Sequence, residues 1–339
     1  MTNADIHTIK LVPSGQEFPC RADQTLLDSC ILAGIPTSYN CRSGECGECM
    51  AALISGQVQE RPGADPAIYT DAHRQQGDIL TCMCFPRGPV VLNVPLDAGA
   101  QTIRPATFNV MVQRVERLTP TIYGVTVETP WPIDYHAGQN FEWVLPGIKP
   151  NRTYSAANRP GSDVIEFHVR VYPGGKVGQF VSQMSTGYPF AVVGPFGQFG
   201  LSPHTWRACV CVAGGTGLAP VLATLDQAFA GRDRRPVTLI YGARTQQELY
   251  CVDQLQRWAQ AARSFTFVPV LSHEPADSAW RGRRGLVTEV LADRLNDVFG
   301  LEAYVCGPPA MIDATVQVLE QAGMPTEDIR TDRFSQVKS

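Results

Sequence analysis

The spacing of apolar side chains changes character twice along the chain. Residues 7–20, HTIKLVPSGQEFPC, alternate apolar and polar positions around a Pro-Ser-Gly break, which predicts a hairpin. Over residues 25–33 the spacing lengthens to that of a helix, with Leu26, Leu27, Cys30 and Ile31 on one face. A loop rich in Gly and Cys follows, and then strands are predicted over 50–54, 78–82 and 90–94. From Thr107 to about Pro203 the apolar runs are short, at 108–115, 122–128, 140–144, 164–171 and 189–193, with Gly and Pro between them. That pattern suits a small antiparallel barrel. From Arg207 onward, strands at 208–212, 237–241, 266–271 and 302–306 alternate with helical periods at 219–230, 254–262 and 287–296, and a last helix covers about 310–322. Strand–helix alternation predicts a parallel sheet, whose ligands bind at the carboxyl ends of the strands. The expected division is therefore 1–97, a linker at 98–106 (AGAQTIRPA), 107–203 and 204–339. No internal repeat or low-complexity tract interrupts it.

A length of 339 residues suits two or three domains, and 44% hydrophobic content allows cores without cross-links. The formal net charge of −4 gives no reason to expect a nucleic-acid partner. The acidity is uneven: residues 1–97 carry eleven acidic and six basic side chains. An acidic first domain either docks on basic surfaces or is simply a solvated face. No apolar run approaches the 18 or so residues of a membrane span. The opening MTNADIHTIK lacks the layout of a signal peptide, so a cytoplasmic protein is expected. Five of the eleven cysteines lie between Cys41 and Cys84, and such clustering in a reducing compartment points to metal rather than disulfides.

Cys41, Cys46 and Cys49 are spaced C-x4-C-x2-C, and Cys82 follows after 32 intervening residues. This is the spacing of plant-type [2Fe–2S] ligation, in which four thiolates surround two irons. Gly44 and Gly47 allow left-handed backbone that brings amide N–H groups near the sulfides. A zinc site would more usually show two symmetrical C-x2-C knuckles, and only one is present. Cys84, two residues after Cys82, would share its face on a strand; it reads as a packed thiol. Cys20, Cys30, Cys209, Cys211 and Cys251 read as small buried hydrophobes.

Two segments of the barrel region suit a flavin. Asn151-Arg152-Thr153-Tyr154-Ser155 offers a guanidinium, a phenol ring and a hydroxyl, although alone it is equally a buried Tyr beside a surface Arg. The stretch from His168 through Val169 and Arg170 to Gly174, Gly175, Lys176, Val177 and Gly178 ends in glycines at an expected helix N-terminus, a setting for pyrophosphate. Farther on, Gly214, Gly215, Thr216 and Gly217 follow a strand and open a helix, the context of a dinucleotide-binding turn. Pro220 replaces the last glycine of G-x-G-x-x-G and is read as occupying the first helical position. Cys306-Gly307-Pro308 closes the fourth strand and would face the same crevice.

Together these motifs resemble the ferredoxin–NAD(P)+ reductase superfamily. Within it, the chain is similar to the reductase components of bacterial oxygenases, the kind that serve xylene, toluene and phenol hydroxylation. The likeness runs over nearly the whole chain and includes FHVR, YPGGKVG, PFGQFGL, VCVAGGTGLAP, YGAR, LYC, the stretch from Trp280 to Gly285, VCGPP and DRF. It implies a β-grasp-like α+β ferredoxin domain, a six-stranded antiparallel FAD-binding barrel and an α/β parallel-sheet nucleotide domain. By the same resemblance Arg152, Thr153, Tyr154 and Ser155 hold the flavin phosphate and ring edge, and His168, Val169 and Arg170 lie beside the adenylate. Gly174, Gly175, Lys176, Val177 and Gly178 form the second phosphate segment, with Gly178 where the family carries Ser. Gly214, Gly215, Thr216 and Gly217 hold the nicotinamide nucleotide, and Cys306, Gly307 and Pro308 lie beside its ring. Phe334 takes the place of a C-terminal aromatic against the flavin; the preceding Asp332 stands where Glu is common. Ser155, Thr216, Cys306 and Phe334 are the residues implied at hydride transfer.

The resemblance implies FAD, NADH and a [2Fe–2S] cluster, with electrons passing in that sense from NADH to FAD to the cluster. The acceptor is then a separate oxygenase (hydroxylase) component, membrane-bound or soluble, or an intermediate ferredoxin, and a monomer is expected. Hydride carries two electrons while the cluster accepts one, and a flavin divides the pair. A deoxysugar dehydratase as partner and a non-catalytic redox sensor are the competing readings. No Glu-x-x-His set of a diiron oxygenase is visible, so oxygen activation belongs elsewhere. Arg244, after the second strand of the nucleotide domain, either pairs with a 2′-phosphate or is a surface charge, which leaves NADH against NADPH open from these residues alone.

Overall fold

The structure, a computed structural model, describes residues 5–94, 96, 103–201, 205–295 and 298–334. Two compact units divide between Ala106 and Thr107, apart from the three residues Phe196–Gln198. Of the expected linker, residues 98–102 lie outside the described residues, and Ala106 is already the first residue of a strand. The expected boundary at 203/204 likewise falls outside them.

In the first unit the elements are β1 (Ile6–Val12), β2 (Glu17–Arg21), α1 (Leu26–Ala33), β3 (Met50–Ser55), β4 (Val58–Glu60), α2 (Asp71–Gln76), β5 (Asp78–Leu80), β6 (Cys84–Pro86) and β7 (Val90–Asn93). Five strands form a mixed sheet in the order β2-β1-β7-β3-β5, with β1 and β7 parallel. Alternation along β1 sends Ile9 and Leu11 into a core with Leu26 and Cys30 of α1 and Val90 and Leu92 of β7. The Thr25 hydroxyl accepts the Asp28 N–H at 3.1 Å and starts α1; Gly34, at φ +74°, ends it. This is the β-grasp-like arrangement. The strand expected over 78–82 stops at Leu80, because the Thr81 N–H and hydroxyl both turn to the Cys49 carbonyl, at 3.2 and 2.9 Å. Cys82 therefore sits in a turn and not on a strand, while Cys84 lies buried in the core on β6.

The second unit begins with β8 (Ala106–Arg117), β9 (Ile122–Glu128), β10 (Asn140–Val144), β11 (Arg152–Ser155), β12 (Val164–Arg170), α3 (Lys176–Gln183) and β13 (Pro189–Phe196). Its six-stranded sheet runs β11-β10-β13-β8-β9-β12 and curls until Ala156 bridges Phe167, with the Ala157 N–H on the Glu166 carbonyl at 2.8 Å. Phe141, Trp143 and Phe167 fill it edge to face, with ring centres 5.3–6.0 Å apart.

The remaining elements are β14 (Ala208–Gly214), α4 (Leu218–Ala230), β15 (Val237–Ala243), α5 (Val252–Ala261), β16 (Phe265–Leu271), β17 (Arg283–Arg284), α6 (Val287–Ala292), β18 (Leu301–Gly307), α7 (Pro309–Gln321) and β19 (Ile329–Arg333). The sheet, ordered β17-β16-β15-β14-β18-β19, is parallel throughout, with apolar clusters on both faces. Four strands were expected and six are present among the described residues. The two additions are a two-residue strand and the polar IRTDR, neither of which carries an alternating signal. Helix α6 ends at Ala292, earlier than expected, and Asn296 lies outside the described residues. Pro220 is the third residue of α4 and not the first, because a 3-10 turn over Gly215–Gly217 leads into Leu218. It still falls in the first turn, where the backbone needs no N–H.

Candidate redox site

In the first unit Cys41, Cys46 and Cys49 lie on the loop between α1 and β3, and Cys82 lies on the turn after β5. Gly44 and Gly47 take φ +83° and +79°, and Arg42 is also left-handed at +56°. A Cβ on Gly44 would sit 2.9 Å from the Met83 sulfur and 3.1 Å from the Ala64 Cα; one on Gly47 would sit 2.9 Å from Ile68 Cγ2. The loop is thus wound tightly enough to aim its amides inward. The Ser43 and Glu45 N–H groups point to Cys41 Sγ at 3.5 and 3.3 Å. The Cys82 N–H reaches Cys49, and the Gly44 N–H reaches Cys82.

The four thiols stand as two pairs. Cys41 is hydrogen-bonded to Cys46, and Cys49 to Cys82, and Cys41 is close enough to the second pair to act on it electrostatically. The Cys46 thiol, with the Ser43 and Glu45 amides behind it, pulls Cys41 down to about 5. Cys82 does the same for Cys49, and in each pair the donating thiol is pushed up. Among the described residues no three donors converge on a single-ion position. Two adjacent cysteine pairs, bathed in N–H donors, fit a two-iron centre with two sulfurs for each iron.

On β11, alternation puts Thr153 and Ser155 on one face and Arg152 and Tyr154 on the other. The Tyr154 ring lies 4.7 Å from the Trp143 ring. On β12, Ile165, Phe167 and Val169 enter the barrel core, so Val169 offers a ligand only its main chain. Glu166, His168 and Arg170 take the opposite face. The His168 ring is turned inward, its side chain 2% exposed, with Nε2 3.2 Å from Glu166 Oε1 and Nδ1 3.2 Å from the Tyr250 hydroxyl. This bond from His168 holds the Glu166 carboxyl below its ordinary range.

Helix α3 starts at Lys176 with Gly175 as N-cap and no side-chain cap; Gly174, at φ +73°, has open space beside its Cα. Bare amides at a helix start fit the pyrophosphate of a dinucleotide flavin. Val177 and Gly178 continue the first turn, and a Cβ on Gly178 would meet Val171 Cβ at 3.3 Å.

The turn Gly214–Gly217 follows β14 and leads into α4, also without a side-chain cap. A Cβ on Gly217 would collide with the Cys306 carbonyl, and one on Gly214 would lie 3.2 Å from Pro308 Cδ. The turn is therefore seated on Cys306, Gly307 and Pro308, and its amides fit a nucleotide phosphate. Gly215, at φ +58°, lies under the Arg170 guanidinium. Arg244 is exposed just beyond β15.

Ser155 and Cys306 come together around a residue that motif reading did not select. Asp332 on β19 is buried, 3.4 Å from the Ser155 hydroxyl, and takes a hydrogen bond from the Cys306 thiol, which burial first and this carboxylate next push well up. The Phe334 N–H meets the Gly307 carbonyl at 3.0 Å, and its ring packs on the nucleotide sheet. Thr216 lies in the glycine turn and, among the described residues, shares none of these contacts. Tyr250 is the second residue that motif reading passed over. Asp332 left a trace in the sequence as an acid two before a C-terminal aromatic; Tyr250 left only its place in LYC.

Three family models match consecutive stretches: a 2Fe-2S iron-sulfur cluster binding domain over residues 9–87, an oxidoreductase FAD-binding domain over 112–200 and an oxidoreductase NAD-binding domain over 211–317. The xylene/toluene monooxygenase electron transfer component of Pseudomonas putida is 34% identical, the match covering 96% of this chain and 93% of that protein. The propane 2-monooxygenase reductase component of Mycolicibacterium smegmatis is 31% identical over 98% of both. Among solved structures, the cytochrome P450 reductase GcoB of Amycolatopsis aligns with a TM-score of 0.85 at 29% identity, covering 97% of this chain and 98% of that one. Identity at this level over nearly the full length is common descent, and the chain belongs to the reductase components of oxygenase systems, oxidoreductases that join a [2Fe–2S] domain, an FAD-binding domain and an NAD-binding domain in one polypeptide.

Proposed function

We propose that the chain oxidises NADH and delivers electrons singly, through the cluster held by Cys41, Cys46, Cys49 and Cys82, to a separate oxygenase component. The observation that carries this reading is the meeting of Ser155 from the barrel with Cys306 and Asp332 from the parallel sheet. It joins the flavin-binding and nucleotide-binding parts of the second unit at one point. When bound, a flavin accepts two electrons as hydride and returns them one at a time, as a two-iron cluster requires.

The residues divide the remaining work. Arg152, Tyr154 and the amides of Gly174 to Gly178 grip the flavin, and Gly214 to Gly217 grip the nicotinamide nucleotide. Ser155, Cys306 and Phe334 line the transfer point, and Asp332 fixes the first two. Cys306 and Asp332, both buried, also keep water from that point.

The relatives' names support a hydrocarbon-oxidising partner, with aromatic or alkyl-aromatic substrates first, and the acidic first unit suits a basic docking face. The partner is the oxygenase itself, membrane-bound or soluble, or an intermediate ferredoxin; the reductase acts as a monomer in the cytoplasm. No helix of the described residues is long and apolar enough to cross a membrane. The test is reconstitution: purified reductase, NADH and candidate oxygenases assayed for product. Turnover with a hydrocarbon oxygenase is expected. Turnover only with a deoxysugar dehydratase would contradict the partner, and NADH oxidation that is slow with every acceptor would contradict the enzyme.

A further inference from the structure

The bonds around His168 form a chain whose hydrogens can be counted. Glu166 Oε1 lies 3.2 Å from Nε2, the Tyr250 hydroxyl 3.2 Å from Nδ1, and the same hydroxyl 3.3 Å from the Gly215 carbonyl. A carboxylate stands at one end and a carbonyl at the other, and both only accept. Three links therefore need three hydrogens. Tyr250 supplies one. A neutral imidazole supplies one more, which leaves a link unmade; an imidazolium supplies two, and the chain closes.

With neutral His168 the Tyr250 hydrogen can serve either Nδ1 or Gly215, but not both. With His168 charged, Nδ1–H donates to the Tyr250 oxygen and the Tyr250 hydrogen is committed to the Gly215 carbonyl. We propose that His168 and Tyr250 are positioning residues that hold the Gly214–Gly217 turn through the Gly215 carbonyl, and that this hold tightens when His168 is protonated, so that pyridine-nucleotide affinity falls as pH rises. The inference rests on reading that turn as the nucleotide site. A turn already held loses less freedom on binding, which strengthens affinity.

The groups around His168 come from several elements. Glu166 and Arg170 face it from β12, Arg114 and Glu116 act from β8, Tyr241 lies on β15, Cys251 adjoins Tyr250, and Cys306 closes β18. Burial pushes Tyr241, Tyr250 and Cys306 up, and Cys251 up to about 12, so all four stay neutral between pH 5.5 and 8.5. Glu166 is held low and stays ionised.

The experiment is calorimetric binding of NAD+ to the oxidised holoprotein from pH 5.5 to 8.5, in buffers of differing ionisation enthalpy. The wild type is expected to weaken about threefold to tenfold across this range, the worth of one hydrogen bond, and to take up protons on binding. Tyr250→Phe is expected to bind with the wild type's high-pH affinity throughout and without proton uptake, and His168→Gln to lose the proton uptake. Variants that keep the wild-type pH dependence would overturn the role of this chain of bonds. A wild type that binds no NAD+ at any pH would overturn the assignment of the turn itself.

Discussion

The Ser155 hydroxyl at the end of β11 lies 3.4 Å from the Asp332 carboxylate on β19, 177 positions apart in sequence. The contact ties the barrel to the edge of the parallel sheet, and the Cys306 thiol binds the same carboxylate. Asp332→Asn keeps the size and removes the charge. Reduction of the flavin by NADH, followed by stopped flow, should slow about tenfold to hundredfold, the cost of misplacing groups at a transfer point. The cluster's visible spectrum should not change.

Gly217 cannot carry a side chain, since a Cβ would run into the Cys306 carbonyl and lie 2.7 Å from the Gly307 nitrogen. Both neighbours are backbone and cannot move aside. Gly217→Ala should therefore separate the turn from β18 and abolish measurable NAD+ binding. Iron content, set by the other unit, should stay at the wild-type level.

Gly44→Ala tests the cluster loop by the same logic. Left-handed backbone costs a residue with a Cβ about 1–2 kcal/mol, and contacts of 2.9 and 3.1 Å to Met83 and Ala64 add to it. Iron and acid-labile sulfide per chain should drop well below the wild type, and bleaching in air should be faster.

The paired Glu166 carries a signed pH dependence. Its carboxyl is held low by His168, so its contribution to stability is complete above the ordinary carboxylate range near 4.3 and is lost as pH falls through the lower folded value. Unfolding temperatures of wild type and Glu166→Gln, followed by flavin release between pH 3.5 and 7, should differ above the carboxylate range and converge toward the acid end.

Local signals made the cluster legible: three cysteines and two glycines in nine residues define the loop without tertiary help. The strands and helices that bury a continuous apolar face were legible for the same reason, as β9 and β10 show at residues 122–128 and 140–144. What escaped was decided by distant partners. Asp332 sits in a polar five-residue strand whose burial comes from β18 and the barrel, not from its own pattern. The Tyr250 hydroxyl meets the His168 ring from 82 positions farther along the chain. Cys82 left the strand because Thr81 turned to the Cys49 carbonyl, a contact across 32 residues.

The central claim, that the four cysteines form the exit for electrons entering from NADH, is tested most directly with Cys49→Ala. The protein should lose the cluster's visible absorption and all turnover with its oxygenase, while NADH-driven reduction of a two-electron dye stays within about twofold of wild type. Equal loss of dye reduction would contradict the order NADH, flavin, cluster, and full oxygenase turnover without the cluster would contradict its role.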